Sequence, residues 1–244
     1  MCAIMTPTIS TKRSLVDSSS YSQGPLRKKS KMPRIFMSSL PDRMLQSKSC
    51  NTKNMNNQSA LCPPSPDTTL QQQLKAADIG VQVQSFDALQ AFFSPPTAEE
   101  IAAYQHDVIQ AIRTQDLTTL EQFHSEGRPL KCSNQFGESL LHMACRKNLV
   151  AVAKLLVQTA RVPLQVCDDY GRTPLHDACW APTTNFELID LILSECPDLL
   201  YIKDKRGNTP LSYLRQDKWA SWNDYLVKKS TSHLAPRCKQ LLEL

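Results

Sequence analysis

Three stretches of this chain are copies of one another. GESLLHMA begins at Gly137, GRTPLHDA at Gly171 and GNTPLSYL at Gly207, so equivalent glycines stand 34 and 36 residues apart. A recurrence of about 33 residues is the spacing of stacked helical units, each leaving an apolar face that only its neighbour can bury. About three such units are needed for stability, so the array is close to the minimum. Each copy also carries its own local logic. The glycines sit where a tight hairpin tip needs positive φ. Ser139, Thr173 and Thr209 stand where a helix needs an N-cap, and Pro174 and Pro210 occupy the first helical position, where a missing N–H costs little. Leu141, Leu175 and Leu211 are expected to turn inward.

A second helix follows each copy. The apolar spacing predicts helices over residues 150–157, 186–193 and 219–227, with Leu155, Leu156, Leu188, Leu191 and Ile192 facing inward. Upstream, Pro95 and Pro96 break the chain, and Thr97 with Glu100 reads as a capping box. One helix is expected to run through Ile101, Tyr104, Val108 and Ile112. Another should start at Asp116 and end before Gly127, with Leu117, Leu120 and Phe123 on its inner side. Residues 97–229 thus form one folded array, and residues 230–244 are expected to be a C-terminal tail.

Residues 173–178 read TPLHDA, matching the ankyrin T-P-L-H-x-A string at every fixed position. The chain resembles the ankyrin-repeat family over residues 97–229, as one degenerate unit, two good repeats and a weaker last one. The expected fold is therefore all-α, an ankyrin-type helical solenoid of about 3–4 repeats preceded by a long disordered tail. Departures from the pattern have local readings. Ser139-Leu140 replaces Thr-Pro, keeping the cap but losing the rigid first position, and residues 180–185 (WAPTTN) hold two extra residues that bulge a turn. Ser212 stands in place of the histidine, as suits a last unit with no neighbour to bond, with Trp219, Trp222 and Leu226 sealing that end.

The resemblance implies that His142 and His176 hydrogen-bond between repeats, and that the tips and inner helices grip a protein partner. Carried over position by position, that surface holds Gln135, Phe136, Glu138, Met143, Arg146 and Lys147 in one repeat. Asp169, Tyr170, Arg172, Asp177 and Trp180 follow in the next, then Lys205, Arg206, Asn208 and Tyr213 in the last. Phe136, Tyr170 and Trp180 are the expected hot spots, since aromatic residues dominate interface energetics.

Composition changes near residue 95. Ser, Thr, Pro, Gln and Asn dominate before it, with too few large apolar groups to offset the entropy of ordering, so residues 1–80 are expected to be disordered. Residues 81–96 form a short amphipathic segment with Phe86, Leu89, Phe92 and Phe93 on one side, suited to docking on the folded part or on a partner. Residues 1–60 hold ten Lys/Arg against two Asp/Glu, whereas residues 101–244 hold seventeen against sixteen. Lys12-Arg13 and then Arg27, Lys28, Lys29 and Lys31 resemble a two-part nuclear import signal that an import carrier would bind. A solvated tail, a polybasic surface anchor and an organelle transit peptide are alternatives of similar composition. The expected location is nucleus or cytoplasm, with an organelle as the alternative.

Other functions find little support. No apolar run reaches the roughly 18–20 residues that cross a bilayer, and the first ten residues have neither the basic n-region nor the apolar core of a secretory signal, so none is expected. Nine cysteines without a CxxC pair argue for reduced thiols. His142 with Cys145 and His176 with Cys179 could suggest zinc, but packed helices lie about 8–10 Å apart, too far for ligands of one ion. Neither phosphate loop nor hydrolase motif is present. The expectation is a monomeric, non-enzymatic adaptor without cofactor or metal. Direct nucleic-acid association through the basic tail is the alternative; the near-neutral folded part lacks the basic stripe that phosphate binding requires.

Overall fold

The computed structural model describes residues 63–241. In chain order its helices are α1 (Pro66–Ala76), α2 (Ala98–Ala103), α3 (His106–Thr114), α4 (Leu117–Ser125), α5 (Leu140–Arg146) and α6 (Val150–Lys154). Then come α7 (Pro174–Trp180), α8 (Phe186–Glu195), α9 (Trp219–Lys228) and α10 (Thr231–Leu234). Helices α3/α4, α5/α6 and α7/α8 are three successive helix pairs; the fourth unit replaces its inner helix by a single 3-10 turn, Pro210–Tyr213, before α9. The structure is an ankyrin-type helical solenoid, as the repeated strings imply. Ile112, Leu120, Leu141, Leu156, Leu175, Leu188, Ile192 and Trp222 are fully buried and belong to one core running through all four units.

The caps behave as their residue types dictate. Thr97 and Glu100 exchange both hydrogen bonds of a capping box, Asp116 accepts from the Thr119 amide, and Gly127 has φ +77° after α4. Helix α6 continues through Leu155–Thr159 with wider π-type turns. One expectation fails here. The helix through Ile101, Tyr104, Val108 and Ile112 is two helices, because Tyr104 and Gln105 leave the helical region, with ψ 72° and 165°. Ile101 is consequently 37% exposed.

The larger correction concerns the segment assigned to a disordered tail. Its last part, residues 66–76, is helix α1, started by Ser65 as N-cap and Pro66 at the first position. Leu70 and Leu74, four residues apart and each 3% exposed, bury one side of α1, which packs on α9. Asp67 accepts a 2.7 Å hydrogen bond from Thr209 Oγ1 and another from Ser212 Oγ. Helix α1 therefore stands where a further repeat would begin, and Ser212 does have a neighbour to bond.

From α1 the chain returns along the stack. Strand β1 (Gln84–Ser85) pairs in parallel with β2 (Ile202–Lys203), and the 3-10 turn Phe86–Phe92 follows. Leu89 and Phe93 are buried, and the Ser94 amide donates to the Gln165 carbonyl. The amphipathic segment thus docks on its own chain. A strap runs from the last unit back to Gln165, past the end of the α5/α6 pair.

The C-terminal segment is also no free tail. Leu234 and Leu241 are fully buried. Tyr201 Oη donates to the Leu234 carbonyl at 2.6 Å, and Asp198 Oδ1 accepts from the amides of Arg237 and Cys238 at 2.7 Å each. Residues 1–62, which include both basic clusters, lie outside the described residues.

Candidate protein-binding face

The tips are built by a residue type that the repeat alignment passed over. An Asn or Asp stands three residues before each tip glycine, and its Oδ1 accepts two backbone amides across the loop. Asn134 holds Phe136 and Glu138 (2.9 and 3.0 Å). Asp168 holds Tyr170 and Arg172 (3.0 and 2.8 Å), and Asp204 holds Arg206 and Asn208 (2.9 and 2.8 Å). Such side chains mimic a backbone turn, so the signal was present in the sequence. Each tip is then tied to the next: the Asp169 amide donates to the Phe136 carbonyl at 2.8 Å, and the Lys205 amide to the Tyr170 carbonyl at 2.9 Å.

This ladder puts equivalent positions into rows. Phe136, Tyr170 and Arg206 form one row; Gln135, Asp169 and Lys205 form the other. In the first, Phe136 is 43% exposed, and the half-buried Tyr170 ring has the guanidinium groups of Arg172 and Arg206 at 5.0 and 5.2 Å. In the second, the Lys205 ammonium lies 4.9 Å from the Phe86 ring of the strap and donates to the Asp169 carbonyl at 2.8 Å. The strap therefore engages Lys205.

Several residues expected to face a partner instead hold the scaffold together. Arg172 is buried, its Nε donating to Asp168 Oδ2 at 2.8 Å. Asp177 is buried and accepts from Arg146 of the preceding repeat at 2.8 Å, while Arg146 also pairs with Glu138. Tyr213 is buried too, donating to Asp204 Oδ2 at 2.6 Å. Each of these polar groups is neutralised or bonded where water is excluded, which is why it can be inside. Trp180 is half-buried and meets Tyr213 edge-on at 6.3 Å. Half-buried Asn208 gives its carbonyl to His176. Gln135, Phe136, Lys147, Asp169, Lys205 and Arg206 remain exposed, with Met143, Tyr170 and Trp180 among those partly so. They lie on the tips and on the inner helices α5 and α7.

The histidines bond as the resemblance implies. The ring Nδ1 of His142 accepts from the Ser139 amide (3.1 Å) and that of His176 from the Thr173 amide (3.0 Å). Nε2 therefore carries the proton and donates across to the next repeat, from His142 to the Arg172 carbonyl at 2.9 Å and from His176 to the Asn208 carbonyl at 3.2 Å. Both ring nitrogens are occupied, which leaves no lone pair for a metal. Burial pushes the Cys132 and Cys167 thiols up to about 12, the wrong direction for a nucleophile.

Burial also pushes His176 down to about 4. In the unfolded chain the imidazole takes a proton near pH 6.5, so falling pH favours unfolding. The group's contribution is unchanged above pH 6.5 and declines as pH falls from there toward 4. Urea unfolding across that window is expected to show this slope in the native protein and to lose it in His176→Gln; equal slopes would contradict the assignment.

Comparison with known proteins places this geometry. Residues 108–199 match a family described as ankyrin repeats, in three copies. The SMC5-SMC6 complex localization factor protein 1 of Homo sapiens is 37% identical over 79 residues, which is 32% of this chain and 7% of that protein. The Mus musculus protein of the same name is 35% identical over 83 residues, 34% of this chain and 7% of its own length. A putative glutaminase 2 of Caenorhabditis elegans is 32% identical over 71 residues, 29% of this chain and 12% of that protein. Each likeness spans a small part of its relative.

Proposed function

Residues 108–199 of this chain are ankyrin repeats, and from that premise we propose that the protein is a non-enzymatic adaptor. It holds a protein partner against the row Phe136, Tyr170 and Arg206 and the adjoining inner helices. The observation that carries this reading is Phe136, a large apolar ring 43% exposed on a rigid tip, beside a tyrosine fixed by two arginines. Preorganised aromatic and Arg side chains lose little entropy on binding. Phe136→Ala combined with Tyr170→Ala is expected to abolish capture of the partner, at least a tenfold loss of affinity, without lowering the stability of the stack by more than about 1 kcal/mol. The measurement is affinity capture with native and variant protein side by side, and an unchanged set of captured proteins would refute the reading. Trp180 is a poorer probe, because it packs on buried Tyr213.

The same reading places the protein in the nucleus. It rests on the clusters Lys12-Arg13 and Arg27–Lys31 and on the name of the partly similar localization factor. A fluorescent fusion carrying Lys28→Ala and Lys29→Ala is expected to lose nuclear accumulation; an unaltered distribution would remove the import signal from the account.

A further inference from the structure

We infer that the face takes an acidic peptide segment, one whose Asp or Glu side chains alternate with apolar ones. This rests on the adaptor reading above and adds the chemistry of the partner. The argument is the fate of each charge. The carboxylates of Glu138 and Asp177 are both held by Arg146, that of Asp168 by Arg172, and that of Asp217 by Arg215. Asp204 is closed off by Tyr213 and two amides.

The cations are not matched in return. Among the described residues, Arg206 makes no ion pair and stacks its guanidinium on Tyr170. Exposed Lys147, just past α5, has no carboxylate partner either. Lys218 donates only to the carbonyl of Ala181, just past α7. Two edges of the face, the tip row and the far ends of the inner helices, thus carry cations that have no ion pair among the described residues. Phe136 and Tyr170 share the tip row with Arg206, and Met143 and Trp180 lie on the inner helices α5 and α7. Asp169, the exposed carboxylate next to Tyr170 in the chain, belongs to the strap-side row.

A segment laid along the stack would set carboxylates against both edges and apolar side chains on the aromatic band. Like-charged segments would be rejected, since unmatched rim charge discriminates partners even where it adds modest affinity.

The test uses the full-length chain and three fluorescein-labelled dodecapeptides of one alternating apolar pattern. Their polar positions are all Glu, all Gln or all Lys. Anisotropy titrations are expected to rank them Glu over Gln over Lys, with the Glu peptide at least about tenfold tighter than the Gln peptide and weakened by salt. Lys147→Glu with Arg206→Glu should remove that preference. Lys28→Ala with Lys29→Ala should keep it, which separates the face from the basic tail. A Glu peptide that binds no better than the Gln peptide, or that ignores Lys147 and Arg206, overturns the inference. If all three peptides bind alike and are lost on Phe136→Ala with Tyr170→Ala, the acidic preference falls while the adaptor reading stands. Indifference to both pairs of substitutions removes both.

Discussion

Trp222→Ala is expected to destabilise the stack by about 3–5 kcal/mol, the range for removing a fully buried large aromatic. Trp222 has no exposed surface. Its ring meets Phe186 at 5.5 Å and Tyr225 at 5.7 Å, Phe186 and Tyr225 stack on each other at 4.5 Å, and its Nε1 donates to Thr184 Oγ1 at 3.4 Å. This cluster joins α8 to α9, and α9 in turn carries α1. The substitution should therefore loosen the last unit and the helix that covers it together. Val227→Ala, on the same helix but 57% exposed, should stay within about 0.5 kcal/mol. Urea unfolding of both variants checks this, and a loss below about 1 kcal/mol at Trp222 would mean that the last unit is not part of the core.

The second large effect separates two glycines that look equivalent in sequence. Gly137 and Gly207 both have positive φ, +77° and +85°. A Cβ at Gly137 would lie 2.6 Å from the Cys167 carbonyl oxygen, whereas at Gly207 it meets nothing within 4 Å. Gly207→Ala should cost only the left-handed penalty, about 1–2 kcal/mol. Gly137→Ala adds a backbone collision between successive repeats and should reach about 3 kcal/mol or more. The cause is position in the stack: the tip of Gly137 is pressed against the following repeat, while Gly207 belongs to the last tip. Equal losses would contradict the tip-to-tip ladder.

The sequence announced the stack because its constraints are periodic. Positive-φ glycines, N-caps with proline behind them and an inter-repeat histidine recur at one spacing, so each copy supports the others. What was not legible had no copy to compare with. Helix α1 begins with a proper start, Ser65-Pro66-Asp67, and has Leu70 and Leu74 on one side, but it is embedded in a Gln- and Ser-rich stretch whose average hides two leucines. Its docking site on α9 is about 150 residues away in the chain. The charge network was hidden for a similar reason. Arg172, Asp177 and Tyr213 have residue types common on surfaces, and only the pairing with Asp168, Arg146 and Asp204 across turns and repeats explains their burial.

The row Phe136, Tyr170 and Arg206 carries the central claim, and site-specific photo-crosslinking tests it most directly. A photoreactive phenylalanine analogue is placed at position 136 on a tip, or at position 227 on the exposed side of α9. The account expects a discrete crosslinked partner from position 136 and none from position 227. A partner trapped from position 227 and absent from position 136 would contradict it.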